Sequence, residues 1–190
     1  MAIVLASQSP RRQELLARIG VEDFKTLSLD IDESYPEGLS PEDTVRYIAK
    51  KKCDAAAALC APDDLIITAD TMVFLDNDRL GKPRDEEDAL RMLRALSGRG
   101  HPVCTGVSVR RGAQEERFAV STRVFFRPMT DDEIRAYIKT GEPMDKAGAY
   151  GVQSRGALFV ERIDGDFFNV MGLPVEQLGL VLARFGVKLL

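Results

Sequence analysis

Leu65-Ile66-Ile67-Thr68-Ala69 is a nearly unbroken apolar run of strand length. Runs of this kind mark strands covered on both faces, so they demand a chain with material to pack on each side. The run leads into Asp70-Thr71 and resumes as Met72-Val73-Phe74-Leu75, so two apolar stretches flank a polar pair. A carboxylate beside a buried strand is costly without a partner. Asp70 therefore reads as a metal ligand, as a base, or as a plain turn or capping residue.

A second strand precedes it. Ile3-Val4-Leu5-Ala6 is a short apolar strand, followed by Ser9 at a helix N-cap position and Pro10 at the first helical position, where its missing N–H costs nothing. Leu15, Leu16 and Ile19 follow at helical spacing, and Gly20 supplies a stop. The turn offers helix N–H groups, the hydroxyls of Ser7 and Ser9, and the guanidinium groups of Arg11 and Arg12. Those are the parts an anion such as phosphate needs at a helix N-terminus. The plainer reading is an ordinary capped helix with two solvated arginines.

The remaining pattern alternates strands and helices. Thr26 to Ile31 alternates as a strand ending in Asp32-Glu33, and Tyr35-Pro36-Glu37-Gly38 is a turn. Ser40 caps a helix running to about Cys60, with Asp43 at the N3 position of a capping box. Asp76-Asn77-Asp78 makes a turn, Asp85 caps a helix closed by Ser97-Gly98, and Thr130 caps one ending near Gly141. Val103 to Arg110 and Phe118 to Phe126 read as a long antiparallel hairpin around Gly112. Asp145 to Gln153 is rich in small residues, where glycine marks close backbone approach or a strained turn. Ala157 to Ile163 reads as a strand, and Gly172-Leu173-Pro174 opens a final helix. The fold class is α/β with a mixed sheet rather than a pure βαβ repeat. With 190 residues, 45% of them apolar, one sizeable core is within reach.

Charge and cysteine usage narrow the partners. Lys and Arg number 26 against 30 Asp and Glu, a net −4, which argues against general nucleic-acid binding. No stretch has the length or apolarity of a membrane span, and the beginning of the chain has no leader pattern, so a cytoplasmic protein is expected. Cys53 and Cys60 stand seven apart on one predicted helix, about 10 Å of rise, too far for a disulfide. Cys104 lies in a predicted strand. With His101 the one histidine and no CxxC, no zinc constellation is expected.

Four further positions carry possible chemistry. Asp32 or Glu33, together with Asp70, would suit Mg²⁺, which favours one or two carboxylates, water and phosphate oxygens. A solvated strand end is the alternative for that acidic pair. Lys52 belongs to the run Lys50-Lys51-Lys52 and reads either as a phosphate counter-charge or as solvated helix face. Lys82 sits in a Gly-Lys-Pro turn that fixes its backbone and reads as a second phosphate counter-charge or as ordinary surface. The Gln153 amide, donor and acceptor at once, is able to read a base edge.

Taken together, Ser7-Gln8-Ser9-Pro10-Arg11-Arg12-Gln13-Glu14-Leu15-Leu16, Ala69-Asp70-Thr71, Gly81-Lys82-Pro83, Lys146-Ala147-Gly148-Ala149-Tyr150-Gly151-Val152-Gln153 and Gly172-Leu173-Pro174 resemble the Maf family of nucleoside triphosphate pyrophosphatases. The motifs occur in the family's order and span nearly the whole chain. The resemblance implies one Maf-like domain over residues 1–190. Its fold would be that of the inosine-triphosphate pyrophosphatases, two lobes around a central cleft. It also implies cleavage between the α- and β-phosphates with a divalent cation, Mg²⁺ or Mn²⁺, and a homodimer. By matching position Asp70 would be the proton acceptor, and Glu33, Lys52 and Lys82 would be catalytic or phosphate-facing; Glu33 and Asp70 are the expected holders of the cation. Ser7, Ser9, Arg12 and Lys52 face phosphate.

Arg11, Thr71 and Gln153 match the branch acting on dTTP and UTP, whereas the 7-methyl-GTP branch carries Trp, Gln and Glu there. The physics agrees: Trp stacks on a cationic methylated purine and Glu accepts from guanine N–H groups, while Arg repels that cation. Ser154-Arg155 departs from the family, in which glycine usually follows the glutamine directly. The alternatives are a 7-methyl-GTP pyrophosphatase and a non-catalytic nucleotide-binding regulator of septum formation.

Overall fold

The protein is described by a computed structural model covering residues 1–76 and 78–190. The strands are β1 (Ile3–Leu5), β2 (Phe24–Thr26), β3 (Leu65–Leu75), β4 (Asp78–Leu80), β5 (Gly100–Arg111), β6 (Gln114–Phe126) and β7 (Val160–Asp164). The helices are α1 (Pro10–Arg18), α2 (Pro41–Ala57), α3 (Glu86–Leu96), α4 (Asp131–Ile138), α5 (Phe167–Met171) and α6 (Val175–Arg184). The strands form one mixed sheet in the order β2-β1-β3-β5-β6-β7, with β4 paired to β3. β1 runs parallel to β2 and β3; β4 is antiparallel to β3 and β7 to β6. The α/β reading with a mixed sheet therefore holds.

Two compact units emerge: Met1–Asp70 with Thr105–Val120 and Gly172–Leu190, and Thr71–Cys104 with Ser121–Met171. In the first, Leu5, Leu15, Leu16, Ile48, Leu65, Ile67 and Phe185 are fully buried. Thr68, the polar residue inside the apolar run, donates its hydroxyl to the Ala49 carbonyl at 2.7 Å, which locks β3 to α2. Gly106 of β5 lies against the backbone of α2: a Cβ there would stand 2.3 Å from the carbonyl carbon and oxygen of Val45.

In the second unit Leu93, Leu96, Phe126 and Ile134 form the centre. Arg94 of α3 reaches Asp131 of α4, with Nε 2.8 Å from Oδ1. Phe126 packs edge-on against His101 and Tyr150, with ring centroids 5.0 and 4.7 Å away.

His101 is fully buried, and its Nε2 shares a 2.9 Å hydrogen bond with the Tyr150 hydroxyl. Burial, aided by the cationic Arg123 and Arg99, lowers its pKa from 6.5 to about 4. The unfolded chain therefore binds a proton below pH 6.5 that the folded protein refuses until about pH 4. Stability attributable to His101 is complete above pH 6.5 and is lost as pH falls through that window. Urea titrations should show a loss of about 2 kcal/mol between roughly pH 6.5 and pH 5, and His101→Gln should flatten that slope.

Several predicted boundaries move. The strand expected over Thr26 to Ile31 is instead Phe24–Thr26, because β1 is only three residues long and its register ends at Leu5↔Thr26. The alternation of Leu27 and Leu29 has another cause: both pack against Ala6, Cys53, Ala56 and Ile66 while the chain runs irregularly. Asp32 and Glu33 thus sit in an irregular segment rather than at a strand exit. Asp70-Thr71 does not interrupt β3, which is continuous through both residues. The Ser40-capped helix ends at Ala57, so Cys60 lies beyond it. Residues 155–159 form a 3₁₀ turn, and β7 begins only at Val160.

Other expectations stand. Asp85 accepts from the Asp88 N–H, Thr130 and Glu133 form a reciprocal capping box, and the hairpin strands flank Gly112 at φ 58°. The expected turn at residues 76–78 has its centre, Asn77, outside the described residues. As a separate finding, Cys53, Cys60 and Cys104 form no disulfide among the described residues, Cys104 Sγ lying 3.4 Å from Ser121 Oγ, and no described helix is long and apolar enough to cross a membrane.

Candidate active site

β1 delivers the chain into a turn whose hub is the Ser7 hydroxyl. Its Oγ accepts from the Ser9 N–H at 3.2 Å and from Arg12 Nη1 at 3.3 Å. Arg12 also donates through Nε to the Gly172 carbonyl at 2.8 Å. Ser9 occupies the N-cap position, yet among the described residues it makes no side-chain cap hydrogen bond. That differs from the ordinary capped-helix reading, because Ser7 rather than Ser9 orders the turn. Gly172 adopts φ 116°, a backbone state that favours glycine, and so presents its carbonyl to Arg12. Besides leading into α6, the Gly172-Leu173-Pro174 motif fixes Arg12 through a contact 160 residues away in sequence.

α2 carries three consecutive lysines, and helical geometry sends each in its own direction. Lys50 pairs with Asp54, and Lys51 reaches Asp32 at 3.1 Å. Lys52 lies between two carboxylates, with Nζ 2.7 Å from Asp70 Oδ1 and 2.9 Å from Glu33 Oε1. The side chains of Lys52 and Asp70 are only 14% and 8% exposed, against 46% for Glu33. Lys52 is therefore not solvated helix face.

Asp32 and Glu33 take different partners. Asp32 is occupied by Ser34 and Lys51, which hold its carboxyl down at about 2. Glu33 is the acid directed to Lys52. Asp70 Oδ2 is buried and has no hydrogen-bond partner among the described residues.

The turn and the ion cluster share one field. Desolvation lowers the pKa of Arg12, an effect opposed by Asp70 and Glu33 and reinforced by Arg11. Arg12 remains a cation, as guanidinium does at any working pH. Ser7, Arg12, Glu33, Lys52 and Asp70 thus form a cationic and anionic pair of clusters inside the first unit, with Ser9 and half-buried Arg11 on the same turn.

The second unit holds the other candidates. Thr71 follows in β3, half-buried, and Lys82 is exposed in its Gly-Lys-Pro turn. The Gly81 carbonyl of that turn accepts from the Gly148 N–H at 3.0 Å, tying it to the small-residue segment. Gly148 has φ 71°, and a Cβ there would meet Val73 at 2.9 Å, as expected for close backbone approach. Gln153 is exposed, one residue after buried Val152.

The chain superposes on a HAM1 protein from Coxiella burnetii with a TM-score of 0.56 at 15% identity, covering 97% of this chain and 99% of that one. The match to the family of Maf-like proteins extends over residues 2–185, and the chain belongs to that family. It is 47% identical over 186 residues to the dTTP/UTP pyrophosphatase of Bacillus velezensis, covering 98% of this chain and 97% of the relative. It is also 47% identical over 191 residues to the dTTP/UTP pyrophosphatase of Dictyoglomus turgidum, covering 99% and 98%.

Proposed function

We propose that this protein hydrolyses dTTP and UTP to the nucleoside monophosphate and pyrophosphate. The observation that carries the reading is the Glu33–Lys52–Asp70 cluster, in which one buried carboxylate oxygen is left over beside a guanidinium-lined turn. Burying a carboxylate with an unused oxygen is costly in a purely structural ion pair. Asp70 Oδ2 is suited to take a proton from water attacking phosphorus. Lys52 fixes the Asp70 carboxylate through Oδ1 and, with Lys82, offsets charge on the departing pyrophosphate. Ser7, Ser9 and Arg12 bind phosphate oxygens, and Arg11, Thr71 and Gln153 select the base.

The same donors fit a divalent cation. The Asp70 carboxylate and the half-exposed Glu33 are hard oxygen ligands of the kind Mg²⁺ and Mn²⁺ take; an Oδ2 bound to the cation is not the proton acceptor, so Asp70 takes one of these two roles at a time. No cluster of three or more His, Cys, Asp or Glu side chains forms among the described residues, so phosphate oxygens and water would complete the shell. When bound, such a cation neutralises charge on the phosphate groups. The reading treats residues 1–190 as one functional domain, cytoplasmic and homodimeric, with a nucleotide rather than nucleic acid as partner.

The test is pyrophosphate release from dTTP, UTP, CTP, GTP, 7-methyl-GTP and ITP, each with and without Mg²⁺ or Mn²⁺. Cation-dependent release fastest with dTTP and UTP is expected. Fastest release with 7-methyl-GTP would overturn the base assignment. No release from folded protein would favour a nucleotide-binding regulator.

A further inference from the structure

Gln153 is exposed, yet the backbone around it is held by a carboxylate four residues before the Lys146–Gln153 stretch. Glu142 Oε1 accepts from the Tyr137 hydroxyl at 2.8 Å, from Ser154 Oγ at 2.6 Å and from the Gly156 N–H at 3.1 Å. Its Oε2 accepts from the Arg155 N–H at 3.2 Å. The Tyr137 hydroxyl in turn accepts from the Gly151 N–H at 3.1 Å. One acid and one phenol therefore hold both ends of the segment 151–156, with Gln153 between them. The spacing is tight: a Cβ on Gly156 would stand 2.6 Å from the Gly151 carbonyl oxygen and 2.8 Å from the Tyr137 hydroxyl.

Four donors converging on one side chain require an acceptor with no hydrogens of its own, which an ionised carboxylate is and an amide is not. Burial alone would raise the Glu142 pKa, but these hydrogen bonds outweigh it and hold the group below its ordinary value. Ser154 gives the departure from the family pattern a physical meaning. Glycine at that position would have no hydroxyl to donate, whereas here Ser154 adds a fourth donor to the hub.

We infer that Glu142 is the positioning residue that sets the pose of Gln153, and with it the discrimination among bases. This rests on the proposed pyrophosphatase reading, in which Gln153 meets the base. Glu142 acts on the backbone of the segment that carries Gln153, so its effect should fall on selectivity more than on the chemical step. An amide at this position turns one acceptor into a donor facing the Arg155 N–H, which releases the segment.

The experiment compares wild type with Glu142→Gln and the milder Ser154→Ala, measuring kcat and KM for dTTP, UTP, CTP and GTP. Amide exchange at Gly151, Arg155 and Gly156 is followed in the same proteins. In Glu142→Gln, KM for dTTP should rise about tenfold, kcat should fall no more than about threefold, and the dTTP-over-CTP preference should shrink about fivefold. Exchange at Arg155 and Gly156 should accelerate, and Ser154→Ala should move every readout the same way by less. Unchanged base preference in folded Glu142→Gln overturns the inference, as does an equal loss of kcat/KM with every substrate. Should Glu142→Gln fail to fold, the selectivity of Ser154→Ala decides alone: an unchanged preference sinks the inference. Wild type inactive toward the whole panel would bring down the pyrophosphatase reading and this inference with it, an outcome visible before any variant is made.

Discussion

Asp70→Asn should lower kcat for dTTP by about 10³-fold while leaving the protein folded. The substitution keeps the shape and one oxygen acceptor, so the 2.7 Å hydrogen bond from Lys52 survives in kind, and Lys52 retains its 2.9 Å contact with Glu33. What disappears is the negative charge and the ability of the buried Oδ2 to accept a proton. An uncharged partner also leaves the mostly buried Lys52 less well compensated. A moderate fall in melting temperature is expected, well short of the loss from deleting one side of a buried pair outright. Steady-state kinetics alongside thermal melts separate the two effects. Near-normal turnover by folded Asp70→Asn would remove Asp70 from the chemistry and leave the cluster a structural ion pair.

Gly106→Ala should destabilise the first unit by about 3 kcal/mol, although it adds a single methyl group to a β-strand. The added carbon would stand 2.3 Å from the Val45 carbonyl and 2.6 Å from the Arg46 nitrogen. Those are backbone atoms of α2, so no flexible side chain is available to give way. The helix must shift, and Lys52 lies two turns along it from Val45. At about 3 °C per kcal/mol for a chain of this size, the melting temperature should fall by about 9 °C. Activity at a temperature where the variant is still folded should fall as well, because the Lys52 contacts depend on the seating of α2. A variant with wild-type melting and wild-type kinetics would show that the sheet yields at Gly106 without disturbing the helix.

Local signals were legible in the chain. Capping at Ser40, Asp85 and Thr130 involves partners three residues away, so the pattern and the interaction coincide. The apolar run at Leu65 foretold a strand buried along its length, and five ordered motifs foretold the Maf family. Where the local pattern misled, it reported burial and was read as pairing. Leu27 and Leu29 alternate because they cover Cys53, Ala56 and Ile66, while the β1 register ends at Thr26 and only the Leu27 N–H still donates to the Leu5 carbonyl. Asp70 looked like a strand end because a carboxylate is improbable inside a buried strand; Lys52, eighteen residues earlier, makes it tolerable there.

The amino-acid order thus determined the element types, most of the caps and the family, since each depends on neighbours within a few residues or on motifs carried whole. Only tertiary structure decided which of three adjacent lysines meets Asp70, which of two adjacent acids meets that lysine, and that the Gly172 carbonyl fixes Arg12. It alone revealed Gly106 as the seat of α2 and Glu142 as the hub beneath Gln153. The physical reason is shared by all five. Each is a contact between segments whose separation in sequence has no period, so no spacing rule records it, and the packing of helix on sheet or turn on turn brings the atoms within bonding distance.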